Sequence, residues 1–186
     1  MDQHQREWNE KVAAKIIKNL EKRRMAGSYA VDAAQAKAEI VDMVPQGATV
    51  FRCGSMTAVG LELRRQGLTA DVMVAGTNAI TLDGRLVNLD GMGNRVAAMA
   101  FGPKKVILVV GMNKVAPDLE SAIARVKHYA APINNIRYGL KNPCVETGLC
   151  SDCRSPQRIC NMWSTIEGHM IEGRIHVKLV GEFLGY

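Results

Sequence analysis

A chain of 186 residues with 47% apolar and 23% charged residues has material for one substantial core and too little for two. Its net charge of +6 is scattered, the one local cluster being Lys22, Arg23 and Arg24, and only 5% of residues are aromatic. Neither the basic footprint nor the stacking platforms of a nucleic-acid binder are there, so nucleic acid is not an expected partner. The longest apolar run, residues 106–112, is far below the roughly 20 residues of a membrane-spanning helix, and charges run through the first 25 residues, so neither a membrane nor an export signal is expected. Five cysteines without an export signal read as reduced thiols, metal ligands or redox groups, and the expected compartment is the cytoplasm.

Taken in chain order, Val12, Ile16 and Leu20 follow Trp8 at four-residue spacing, the mark of one helix face, and the pattern stops near Gly27. An alanine-rich helical stretch, residues 31–44, ends at Pro45 and Gly47. Residues 1–45 are therefore read as N-terminal helices packing on a single domain that spans 1–186. TVFRC is a short strand, GSMT a tight turn, and Val59, Leu61, Leu63 and Leu68 continue as a helix. DVMVAG is a second strand, followed by a Gly/Asn-rich stretch, residues 76–95, with turn signals at Asp83-Gly84 and Asp90-Gly91. KKVILVVG is continuously apolar, as in a strand buried on both faces of a parallel sheet. Pro117 and Asp118 open a helix to about Tyr129, a Cys/Pro-rich loop covers residues 142–160, and RIHVKLVGE gives a last strand. Strands alternating with helices predict an α/β fold with a mainly parallel sheet flanked by helices.

Ligands of such sheets bind outside the carboxyl ends of the strands. Gly54, Ser55 and Thr57 follow the TVFRC strand, where hydroxyls and free helix amides would hold a phosphate or carboxylate, unless Ser55 only caps the helix. The second loop gathers Gly76, Thr77, Asn78, Thr81, Asp83, Asn88, Asp90, Gly91, Gly93, Asn94 and Arg95, more hydrogen-bonding groups than a hairpin requires. Its polar side chains would address hydroxyls or carbonyls of an anionic small molecule, with Arg95 or Lys114 meeting the negative charge. Arg95 is expected on the open surface of this cleft. A plain hairpin with Asp-Gly turns is the competing reading.

The runs GTNAIT, DGRLVNLDGMGNRVAAMAFGPKKVILVVGMNKV, NPCVETGLCSDCRSPQRICNMW and LVGEFLGY together resemble the LUD (lactate utilization) domain family over nearly the whole chain. The resemblance implies a fold similar to the ribose-5-phosphate isomerase, glucosamine-6-phosphate deaminase and CoA transferase group. There a Gly-Ser-Thr loop after the first strand binds phosphate. It also implies work in lactate or related organic-acid oxidation, with iron-sulfur oxidoreductase subunits as partners. The ferredoxin-like C-x2-C-x2-C-x3-C-P run is absent, so this chain is not expected to be the electron-transfer subunit. Two other readings stay open. One is a free-standing isomerase or acyl/CoA transferase acting on a small phosphorylated or carboxylated substrate, with Asp83, Asp90 and Glu182 as candidate catalytic acids or bases. The other is a non-catalytic metabolite-sensing or assembly module, and a homo-oligomer is compatible with any of these.

Cys144, Cys150, Cys153 and Cys160 form a C-x5-C-x2-C-x6-C pattern that can surround one tetrahedral zinc or an iron-sulfur cluster. Zinc ribbons pair two CxxC units and this loop has one, which, with the implied redox partners, favours the cluster. Arg154 and Arg158 are expected to lower nearby thiol pKa values, so a redox pair at Cys150 and Cys153 is an alternative, as are thiols with only a structural role. Cys53 reads as a buried strand-end residue, with a fifth ligand or a nucleophile as the alternative.

Overall fold

The computed structural model describes residues 2–52 and 65–186. Cys53, Gly54, Ser55 and Thr57, with the predicted turn and most of the helix after them, lie outside the described residues.

Helix α1 (Gln3–Lys22) starts where the Asp2 carboxylate accepts the Gln5 amide at 2.9 Å, and it buries Ala13, Ile16 and Leu20 completely. It is followed by a strand the sequence pattern did not announce, β1 (Ala26–Ala30). Gly27 is what brings the two together: a Cβ there would meet Leu20 Cδ1 at 2.8 Å and Ile17 Cγ1 at 3.1 Å. Helix α2 (Ala33–Asp42) is capped by Asp32, which accepts the Gln35 amide at 2.8 Å. Strands β2 (Val50–Arg52), β3 (Val72–Ala75), β6 (Lys105–Gly111) and β9 (Ile175–Val180) join β1 in a five-stranded, all-parallel sheet of order β1-β9-β6-β3-β2. The central place of β6 explains its unbroken apolar run, since helices or loops cover both of its faces. Ile175, Val177 and Leu179 turn toward α1, whereas Val180, one step out of phase, packs with Ala30 and Ala36 on the α2 side.

The Gly/Asn-rich stretch builds a second sheet. Strands β4 (Ala79–Thr81) and β5 (Leu86–Asp90) form an antiparallel hairpin, extended by β7 (Val115–Ala116) and β8 (Met162–Ile166) in the order β7-β4-β5-β8. Ile80 and Leu86 belong to the main core, while Ala79, Val87 and Leu89 pack on Ala122, Val126 and Ala131. Those last residues come from α4 (Leu119–Arg125), a π-helical turn (Val126–Ala130) and α5 (Ala131–Arg137). Helix α3 (Asn94–Phe101) connects β5 to β6, and α6 (Pro143–Thr147) is a short helix inside the predicted cysteine loop. No helix of the described residues is long and apolar enough to cross a membrane.

Leu20 carries the α1 contact with the sheet, so Leu20→Ala is expected to cost about 2–5 kcal/mol of unfolding free energy. The exposed Val41→Ala on α2 should stay within about 0.5 kcal/mol, and urea unfolding of the pair measures both.

Candidate functional site

The chain leaves the parallel sheet at Ala75 and enters the second sheet at Ala79, at the carboxyl edge of β3 and beside the end of β6. Each carbonyl of the three residues between accepts from a different cation. Gly76 O takes Arg95 Nη1 at 2.9 Å, Thr77 O takes Lys114 Nζ at 3.3 Å, and Asn78 O takes Arg125 Nη1 at 2.7 Å. The side chains lock the same crossing. Asn78 Oδ1 accepts Arg95 Nη2 at 2.5 Å and the Leu89 amide at 3.0 Å, and Thr77 Oγ1 reaches Asn88 Oδ1 at 3.0 Å. Asn88 is fully buried, and its Nδ2 has no hydrogen-bond partner among the described residues.

Arg95 has a carboxylate partner. Asp90 accepts Arg95 Nε at 2.9 Å and Nη2 at 2.7 Å, and its other oxygen accepts the amides of Arg95 and Val96 at 3.1 and 3.0 Å. It thereby caps α3, whose N-cap residue Gly93 has φ +80 and no side chain to offer. The Arg95 side chain is only 16% exposed, so it lies inside this network and not on the open surface the sequence suggests. Lys114 and Arg125 have no carboxylate among the described residues: Lys114 reaches Thr77 O alone, and Arg125 reaches the carbonyls of Asn113 and Asn78 and stacks over Tyr129. Burial, reinforced by Arg125, Arg95 and Arg137, pulls the Lys114 ammonium down to about 8. Gly76 and Gly185 leave room beside it, since a Cβ on either would stand 3.7 or 3.6 Å from Nζ. The C-terminal residues fold over this point because the Asn113 side chain accepts Leu184 N at 3.1 Å and donates to Gly185 O at 3.0 Å.

The three candidate acids are not brought together. Asp83 sits in the β4–β5 turn, at the opposite end of β5 from Asp90, where its carboxylate meets Thr81 Oγ1, Arg85 Nε at 2.8 Å and Arg23 Nη2 at 3.0 Å. Burial raises its pKa, but Arg85, Thr81 and Arg23 outweigh that and hold the carboxyl below its ordinary range. Thr81 and Asp83 thus fasten the hairpin to the end of α1. Glu182 follows β9 and accepts the Ala33 amide at 3.0 Å at the start of α2, beside an open cleft with Arg6, Asp32 and Phe183.

All four described cysteines line one small cavity with Asn135, Asn142 and Arg158. Among the described residues no three of His, Cys, Asp and Glu already stand as a metal-ligand set. The Arg158 guanidinium binds the carbonyls of Cys160, at 2.8 Å, and Cys153. Burial nevertheless pushes the Cys144 and Cys160 thiols up, so at Cys160 desolvation outweighs the arginine effect that the sequence suggests. This loop is joined to the crossing: Asn161 donates its amide to Asp90 O at 3.0 Å and its Nδ2 to Gly91 O at 3.2 Å, and Gly91 lies against Ile159. Asn94 completes the turn from Gly91 to Arg95 as the first residue of α3. Sequence reasoning did not single out Arg125, Asn135 or Asn142, and nothing in their local patterns marks them; Arg125 acts on Asn78 far back along the chain, while the two asparagines bond each other across the start of the cysteine loop.

A family model described as the LUD domain matches residues 57–180. No curated protein matches the chain. Among solved structures, a DUF162 family protein from Deinococcus radiodurans is similar in fold, with a TM-score of 0.56 at 14% identity over 92% of this chain and 98% of that one.

Because the Asp90–Arg95 pair is buried and serves a helix end, a strand end and the crossing, removing one partner leaves an uncompensated charge inside. Arg95→Ala is expected to lose about 3–5 kcal/mol of stability. Arg85→Ala, which breaks a more exposed pair with Asp83, should lose under about 1 kcal/mol by the same denaturant titration.

Proposed function

Because the chain belongs to the LUD (lactate utilization) domain family, which ties it to lactate use, we propose that it serves the oxidation of lactate or a related organic acid beside iron-sulfur redox proteins. In this reading it holds the anionic metabolite at the crossing between its two sheets. The observation that carries the reading is Lys114: a buried ammonium, 8% exposed, whose one hydrogen-bond partner among the described residues is a carbonyl at 3.3 Å. An ammonium offers three donors, and a buried cation without an anion is costly. Arg125 adds a second cation without a carboxylate partner among the described residues, and Asn88, whose Oδ1 accepts from Thr77 Oγ1, keeps an unpartnered Nδ2. A carboxylate at Lys114 would offset both costs, and Gly76 and Gly185, where a Cβ would stand in contact with Nζ, leave a methyl-sized space beside it. Gly76, Thr77, Asn78 and Asn88 would frame the ligand. Thr81, Gly91, Gly93, Asn94 and Arg95 would keep that frame in place. Asp83, Asp90 and Glu182 are each committed to protein hydrogen bonds, which favours binding and presentation of the acid over acid-base chemistry by these groups.

Lys114 also sets a pH dependence. Its folded pKa of about 8 lies below the ordinary 10.5, so without ligand the unfolded chain holds a proton there that the folded chain has lost. Stability from this group should therefore rise as pH climbs from about 8 to 10.5, whereas affinity for an anion should fall over the same climb. Calorimetric titration with L-lactate and pyruvate tests the reading. The expected results are binding that weakens above pH 8, proton uptake near that pH, and a loss of about ten- to a hundredfold in Lys114→Met. Equal affinity in Lys114→Met would move the anion elsewhere, and absence of binding of either acid at millimolar concentration would overturn the reading.

A further inference from the structure

We infer that Cys144, Cys150, Cys153 and Cys160 close around one zinc-class ion, a mononuclear thiolate site that does not depend on the anion reading. The four side chains come from three places in the chain: α6 holds Cys144, a CxxC turn holds Cys150 and Cys153, and Cys160 packs against the second core two residues before β8. They nevertheless line a single cavity.

Two further observations say what that cavity takes. The first is size. The space between the thiols is small, about 20 Å³, room for a single ion without widening the cavity. This reverses the order of preference that the spacing and the implied redox partners suggested. The second is Asn142, which is 3% exposed and lines the same cavity. Its Nδ2 is fixed by Asn135 Oδ1 at 2.5 Å and Gln157 O at 3.0 Å, yet its Oδ1 is buried with no partner among the described residues. A carbonyl oxygen held this way costs about 1–3 kcal/mol, which a cation in the same cavity would reduce electrostatically without Asn142 being one of its four ligands. Arg158 supplies the frame. By binding the carbonyls of Cys153 and Cys160 it fixes the backbone of two ligands, and its charge offsets part of the double negative charge of a zinc with four thiolates.

The thiols do not yet form a ligand set, so binding includes a closing movement of the partly exposed Cys150 and Cys153. Four S–H bonds break, the protons leave to solvent, and four metal–sulfur bonds of about 2.3 Å form, with no change in oxidation state. The regular structure of the loop ends at Thr147 and resumes at Met162, so the ion would also supply the cross-link this stretch lacks.

The test uses the full chain, purified without oxygen, reduced and freed of metal by a chelator. Cobalt(II) should bind at one equivalent with thiolate-to-cobalt charge-transfer absorption, and one equivalent of zinc should bleach it. Zinc should also protect the cysteines of the parent chain from alkylation, a readout that needs no variant. Cys150→Ser and Cys153→Ser, at partly exposed positions that spare the core, should each weaken cobalt binding at least tenfold with an unchanged far-ultraviolet circular dichroism spectrum. Absence of charge-transfer absorption at stoichiometric cobalt, or equal alkylation with and without zinc, would overturn the proposal. So would iron with acid-labile sulfide in the protein as purified.

Discussion

Between Ala75 and Ala79 the chain passes from a parallel sheet into a mixed one, and the three intervening carbonyls are satisfied by side chains of Arg95, Lys114 and Arg125. Buried carbonyls must find donors, and elsewhere a strand neighbour or a helix turn supplies them. Here the donors are cations reached from α3, from the turn after β6 and from α4. Those three elements are thereby oriented around a stretch that has no regular structure of its own. The solution has an electrostatic consequence. Three positive groups enter a partly buried volume, and one of them, Arg95, is matched by a carboxylate.

Asp90 converts that local balance into architecture. One of its oxygens holds Arg95, the other caps α3, and its main-chain carbonyl receives Asn161 at the exit of the cysteine loop. A strand end, a helix start and the entry to β8 thus share one residue. The charged network and the thiol cavity are joined mechanically, through the 161-to-90 hydrogen bond and the Gly91 contact with Ile159, without sharing a ligand. On the Asp90 side of this joint both carboxylate oxygens are hydrogen-bonded. The cysteine side depends on Arg158 and on two asparagines, one of which is incompletely satisfied.

Much of this could be read from residue patterns, and the exceptions have physical reasons. KKVILVVG announced β6 because a central parallel strand is apolar on both faces, and Pro117 and Asp118 marked the start of α4, where Asp118 is the N-cap and Pro117 precedes the helix. AGSYA gave no strand signal: β1 is a small-residue strand at the sheet edge, selected by how closely α1 must approach, and Gly27 looks locally like a helix terminator. MWSTI escaped for a related cause, since β8 is an edge strand whose Met162 and Trp163 stay substantially exposed. The two Asp-Gly pairs were equivalent on paper. One carboxylate faces Arg85 and Arg23 at a hairpin turn, the other faces Arg95 at the crossing, and only tertiary contacts separate a fastening from a site. The same holds for Arg95, whose charge was legible while its acceptors were not.

The likeness to the Deinococcus radiodurans structure, at 14% identity, concerns the fold, and a fold of this kind hosts many chemistries. What particularises this chain is the way its unpaired groups are distributed among the described residues. Lys114, with one carbonyl at 3.3 Å, and the unpartnered Asn88 amide nitrogen are donating groups at the crossing, whereas the unpartnered Asn142 oxygen is an accepting group in the loop cavity, where Asn135 Nδ2 stands 4.0 Å from Cys160 Sγ. The two places are joined through Asn161 and Asp90 but share no side chain. The asymmetry follows from the same rule that built the crossing: buried polar groups are tolerated where a partner arrives, and here the chain supplies partners for the backbone first.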